Sequence, residues 1–182
     1  GEVILSSDIV LNETLTIPAG KTVTLDLNSK TITGTMHKNN GAVIKNEGTL
    51  TLKNGTVTSA AANGGSALTN NGTATVTGVT LNGAPNADGN WPSYTVNNTG
   101  VLNLNNSKIT SYHGALASYD DGAIATLTKT DIDMSGIPGF TSHAIYTYSN
   151  GSVIVNSGDI ANNAADQNST GASVINGAVT VN

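Results

Sequence analysis

NEGTLTLKNGTV, residues 46–57, carries the pattern of the whole chain. Gly48 opens an alternation of polar and apolar residues, Thr49-Leu50-Thr51-Leu52, and Asn54-Gly55 punctuates it before Thr56-Val57 resumes. A period of two marks a strand with one face turned inward, and Asn-Gly marks a turn. The Gly-x-apolar-x-apolar unit returns at Gly72-Thr73-Ala74-Thr75-Val76, Gly100-Val101-Leu102-Asn103-Leu104, Gly151-Ser152-Val153-Ile154-Val155 and Gly177-Ala178-Val179-Thr180-Val181, with a copy one residue longer at Gly122. Two positions before the glycine stand Asn46, Asn70, Asn98 and Asp120, with Ser149 in a later copy. A further apolar run precedes each of these, as in Ala42-Val43-Ile44 and Ala144-Ile145-Tyr146.

A second spacing fixes the period. Two apolar residues flanking four others recur at Leu27/Ile32, Leu52/Val57, Val76/Leu81, Leu104/Ile109, Leu127/Ile132 and Val155/Ile160, and Val181 begins another copy. The steps are 25, 24, 28, 23, 28 and 26 residues, about 26 per repeat. No segment shows a sustained helical period with caps. Short strands at a fixed repeat predict an all-β parallel β-helix, with like residues stacked at about 4.8 Å and about seven coils in a rod roughly 35 Å long. The inward ladders would be Leu, Val, Ile and Ala. An Asn in the same turn of each coil would bond to the coils above and below. Residues 1–26 alternate out of step with the repeat and read as an N-terminal cap and first-coil entry; residues 27–182 hold the repeating coils of one domain.

Composition agrees. Of 182 residues, 26 are Thr, 24 Asn and 21 Gly, and only 10% are charged. All seven cations are Lys, and the net charge of −5 speaks against nucleic acid as a partner. There is no Cys, and no run of 18 apolar residues crosses a membrane. Gly1 reads as a processed or cloned end. The repeat stops inside a coil at Asn182, which leaves an exposed edge or a piece of a longer surface protein as the expectations.

The coil length and turn pattern over about residues 20–182 resemble the right-handed, pectate-lyase-like superfamily. The segment LTIPAGKTVTLDLNSKTITG (15–34) resembles the opening coil of bacterial cell-surface β-helix proteins described as adhesin-like. That resemblance implies an extracellular bacterial protein. Pectate lyases use an Arg base, and this chain has no Arg. Polygalacturonases carry N-T-D, D-D, G-H-G and R-I-K; here only Asp120-Asp121 matches, and the nearest His reads Tyr112-His113-Gly114. The chain therefore reads as non-enzymatic, with Asp120 or Asp121 paired to Asp131 or Asp133 as the weak catalytic alternative, since glycosidases place two carboxyls about 5–10 Å apart. Asp120 and Asp121, with Asp131, Asp133 and Asp159 nearby, are the candidates for calcium; no motif fixes a full ligand set, so no cofactor is expected. His37, His113 and His143 lack zinc spacing.

Sugar binding is better supported. All seven aromatics fall between residues 91 and 148, where the connections 82–92 and 136–140 are also long. Aromatic rings stack on sugars, and a solenoid builds its binding surface from connections lengthened on one side. Trp91, Tyr94, Tyr112, His113 and Tyr119 are the expected ligand-facing set, with carbohydrate or a host or environmental surface as partner. The runners-up are a polysaccharide-active enzyme or carbohydrate-binding module, and a structural stalk. Outward Thr22/Thr24, Thr49/Thr51 and Thr73/Thr75 begin a ladder of the ice-binding kind that breaks at Val101/Asn103.

Overall fold

The computed structural model describes residues 1–35, 41–60, 65–85, 94–135, 142–163 and 170–182. Among these the chain is all strand and turn, and it winds as a parallel β-solenoid with three faces. Face A stacks β1 (Glu2–Ile4), β4 (Thr22–Asp26), the first part of β7 (Thr49–Ser59), the first part of β9 (Thr73–Asn82), β11 (Val101–Asn105), β14 (Ile124–Thr128), β17 (Ser152–Val155) and β20 (Ala178–Val181). Face B stacks β2 (Ile9–Leu11), β5 (Thr31–Gly34), the second parts of β7 and β9, β12 (Lys108–Ser111), β15 (Asp131–Met134) and β18 (Ile160–Asn162). Face C stacks β3 (Leu15–Ile17), β6 (Ala42–Asn46), β8 (Ser66–Asn70), β10 (Tyr94–Asn98), β13 (Gly114–Tyr119), β16 (His143–Tyr148) and β19 (Thr170–Ile175). Six turns separate the first and last strands of face C, close to the seven coils expected. Successive partners on face A lie 22 to 28 residues apart, from Glu2 opposite Thr24 to Ser152 opposite Ala178.

Alternation builds the core. On face A one inward column runs Val3, Leu25, Leu52, Val76, Leu104, Leu127, Val155, Val181. Leu52, Val76, Leu104 and Leu127 are fully buried, and so are Ile32, Val57, Leu81 and Ile109 on face B. Each such side chain contributes about 1.5–3 kcal/mol on leaving water, and aliphatics fill a narrow coil better than rings. The repeat at Leu27/Ile32 needs correcting: Leu25, not Leu27, is the partner of Leu52. The corner at 27–30 is longer in this coil. Lys30 N–H closes a turn onto the Leu27 carbonyl, Asn28 and Ser29 adopt positive φ, and Leu27 tucks inside as an extra buried residue.

Residues 1–26 hold the terminal coil. Although out of step with the repeat in sequence, β1, β2 and β3 pair in parallel with β4, β5 and β6. It differs from the interior coils in burial: Val3, Ile4 and Val10 are exposed. An apolar cavity of about 270 Å³ lies between Val3, Leu5, Ile9 and Leu15 on one side and Leu25 and Ile32 on the other.

The polar ladder is real but shifted. Asn46, Asn70 and Asn98 are fully buried and in register on face C. Asn46 Nδ2 donates to Asn70 Oδ1 at 2.7 Å, Asn70 Nδ2 to Asn98 Oδ1 at 2.8 Å, and Asn98 Nδ2 to Ser118 Oγ at 3.1 Å. The same amides close the corner by donating to the Gly48, Gly72 and Gly100 carbonyls. The next rungs are Ser118 and Thr147, not Asp120 and Ser149, because the corner between faces C and A lengthens in these coils. Counting two back from the glycine therefore stops short of the rung. The Thr147 hydroxyl is buried without a hydrogen-bond partner.

Candidate functional site

Length variation is concentrated at one corner of the rod. From face A to face B the chain passes straight through in β7 and β9. From face C to face A it takes two residues at 47–48, 71–72 and 99–100. From face B to face C the connections are 12–14, 35–41, 60–65, 83–93, 112–113, 135–142 and 163–169, so the two longest flank a coil that turns in two residues, Tyr112-His113. Short corners follow from the ladders, which hold each coil against its neighbour there. The corner between B and C is free to vary.

The aromatic residues gather beside this corner. Tyr94 in β10 pairs with Gly114 in β13, and a methyl group on Gly114 would sit 2.4 Å from the Tyr94 ring. The ring occupies the space that the missing side chain leaves. It passes over one coil to reach Tyr146 in β16, with centroids 5.6 Å apart and planes inclined by 26°. Tyr146 pairs with Ala117, which is also small. His143 stacks on Tyr146 at 6.0 Å, and its Nδ1 lies 2.8 Å from Thr170 Oγ1. Tyr112 stands at the corner end of the group and is 37% exposed. Its carbonyl accepts from the Ser142 hydroxyl, and the His113 carbonyl accepts from the His143 N–H.

Of the expected ligand-facing set, the structure brings Tyr94, Tyr112 and His113 to one region. Tyr112 is exposed, whereas Tyr94 and His113 are buried and act in packing. Tyr119 ends β13 at the opposite corner, paired with Tyr148. Trp91, Phe140 and His37 lie outside the described residues. Sequence reasoning left His143 and Tyr146 out of the set; the signal that could have found them is the small pair Gly114 and Ala117 in the coil between.

Burial sets the protonation. It holds His143 below its ordinary range, so the ring is neutral near pH 7. Burial, with Tyr146 beside it, pushes the Tyr94 phenol well above the usual range. Burial raises Tyr119 too, with Asp120 adding to it. A neutral form favoured only in the folded state stabilises fully below the unfolded-state pKa and is lost as pH rises beyond it. Thermal stability should therefore fall as pH climbs above about 10. Tyr94→Phe should flatten that slope, leaving the smaller part due to Tyr119. Melting curves between neutral and strongly alkaline pH check this, and an unchanged slope in the variant would refute the assignment.

The carboxylates do not assemble as a catalytic pair. Asp120 and Asp121 lie at the corner between C and A, while Asp131 and Asp133 lie on face B, with all of β14 between them. Five residues of strand span about 16 Å, against the roughly 5–10 Å a glycosidase needs. Asp131 Oδ1 accepts from the Asp159 N–H at 2.9 Å, and Asp133 pairs with Lys108 at 3.1 Å. Asp120 and Asp121 line an open depression of about 520 Å³ with Ser149, Asn150 and Asn176, where Asn150 Nδ2 donates to Asp121 Oδ1 at 2.6 Å. Among the described residues no group of three or more His, Asp or Glu could hold a metal ion, and no helix is long and apolar enough to cross a membrane. The Thr columns 22/49/73 and 24/51/75 are in register and end at Val101 and Asn103. Searches against protein-family models, curated proteins and solved structures find no match to this chain.

Proposed function

We infer that this chain is a non-catalytic, adhesin-like surface protein of an extracellular bacterial setting, a rigid solenoid that presents a ligand-binding edge to carbohydrate. The observation that carries the reading is the corner between faces B and C. It alone takes long insertions, the longest of them flank Tyr112-His113, and aromatic rings cluster beside it. A frame fixed by ladders on three faces lowers the ordering cost of any group it displays. Exposed Tyr112 offers a ring face for stacking on a sugar ring.

A glycan-array screen of the chain, run with calcium and again with chelator, tests this, with Tyr112→Ala and Trp91→Ala alongside. Specific binding that falls in these variants supports it. Binding lost only with chelator would transfer the site to Asp120 and Asp121, and shortened glycans would restore the enzyme reading. No binding under either condition would leave the solenoid a stalk.

A further inference from the structure

We propose that the outer surface of face C at β10, β13 and β16 is a platform for one uncharged sugar residue, built on Tyr146 and His143 and held in shape by Tyr94 lying across Gly114. The proposal rests on the carbohydrate reading above and gives it a place and a ligand charge. Three observations carry it.

The first is where the rings are. The interior is filled by aliphatic side chains, so Tyr94, Tyr146 and His143 are not needed to complete it. They lie outside the coil as a stacked group spanning two coil steps, and Tyr146 and His143 keep part of their surface in water. Two small residues, Gly114 and Ala117, make room for the stack. A methyl at Gly114 would displace Tyr94, which is itself buried and acts as a positioning residue for Tyr146.

The second is charge. β10, β13 and β16 contain no Asp, Glu or Lys, and His143 is neutral near pH 7. Among the described residues these three strands offer an ionic ligand no counter-charge, while a neutral sugar needs none. The third is backbone pairing. β13 is bonded to β10 and β16, β10 also to β8, and β16 also to β19. A peptide added as an extra strand has no free edge here. What remains for recognition is a partly exposed ring surface edged by hydroxyl and imidazole groups, which suits the C–H face of a sugar ring and its hydroxyls.

The full chain on an array of neutral, acidic and amino glycans, followed by titration of the best neutral hit, tests the proposal. Tyr146→Ala should weaken binding about tenfold, Tyr146→Phe should restore most of it, and Tyr148→Ala, on the same strand but at the far corner, should change nothing. Circular dichroism establishes that each variant keeps its fold, and Gly114→Ala should reproduce the Tyr146→Ala loss. Neutral-glycan binding that survives Tyr146→Ala but falls with Tyr112→Ala would overturn this platform and leave the carbohydrate reading standing. Hits confined to charged glycans would also overturn it. An array with no hits at all would remove both.

Discussion

Leu104→Asn lowers the unfolding free energy by about 2–4 kcal/mol, whereas Asn103→Asp, one residue away, costs little. Leu104 is fully buried in the inward column, between Val76 and Leu127 of the coils on either side. An amide there loses the aliphatic contribution and finds Leu and Val where it needs partners. Asn103 points outward between Thr75 and Thr126, in contact with water. In a solenoid each coil is stabilised mainly by its neighbours, so the damage at position 104 weakens two interfaces at once. Chemical denaturation of the two variants measures the difference. Equal, small effects would mean that the inward and outward columns are misassigned.

Asn70→Leu should cost a similar amount, about 2–5 kcal/mol, although it makes the interior more apolar. Asn70 is the middle rung: its Oδ1 accepts from Asn46, and its Nδ2 donates to Asn98 and to the Gly72 and Val101 carbonyls. Leucine removes all four of these buried bonds, each worth about 0.5–1.5 kcal/mol net, while Asn46 keeps the Gly48 and Thr73 carbonyls and Asn98 keeps the Gly100 N–H. Thr147→Val makes the informative contrast. It occupies the same column two coils beyond Asn98, and its hydroxyl already lacks a partner. Removing that hydroxyl should be neutral or slightly stabilising. If both substitutions prove equally harmful, shape rather than hydrogen bonding governs the column.

What the sequence revealed was whatever repeats. Period-two alternation and a step near 26 residues carry the fold, because each coil solves the same packing problem with the same residue types. Wherever a corner changes length the reading slips: the four-residue turn after Asp26 hid Leu25 as the first rung, and the longer corners after β13 and β16 hid Ser118 and Thr147. The candidate site was legible only as a density of aromatics. Tyr94 and Tyr146 are 52 residues apart and meet because the coil between them contributes Gly114 and Ala117. The opposite error affects the carboxylates, close in sequence yet set on different sides of the rod by β14.

The corner that takes the long connections has a consequence for how such a protein can change. Added or deleted residues between faces B and C alter neither the pitch nor the stacking of the ladders, since the next strand re-enters at the same height. The corner between faces C and A is tighter where it turns in two residues: a methyl on Gly72 would fall 2.1 Å from the Gly48 carbonyl oxygen, and one on Gly100 equally close to that of Gly72. Mutation is thus channelled along one line of the molecule. Descendants of this chain can exchange what they hold while standing on an unaltered shaft, and foreign segments spliced into that line should be carried as passengers rather than felt as damage.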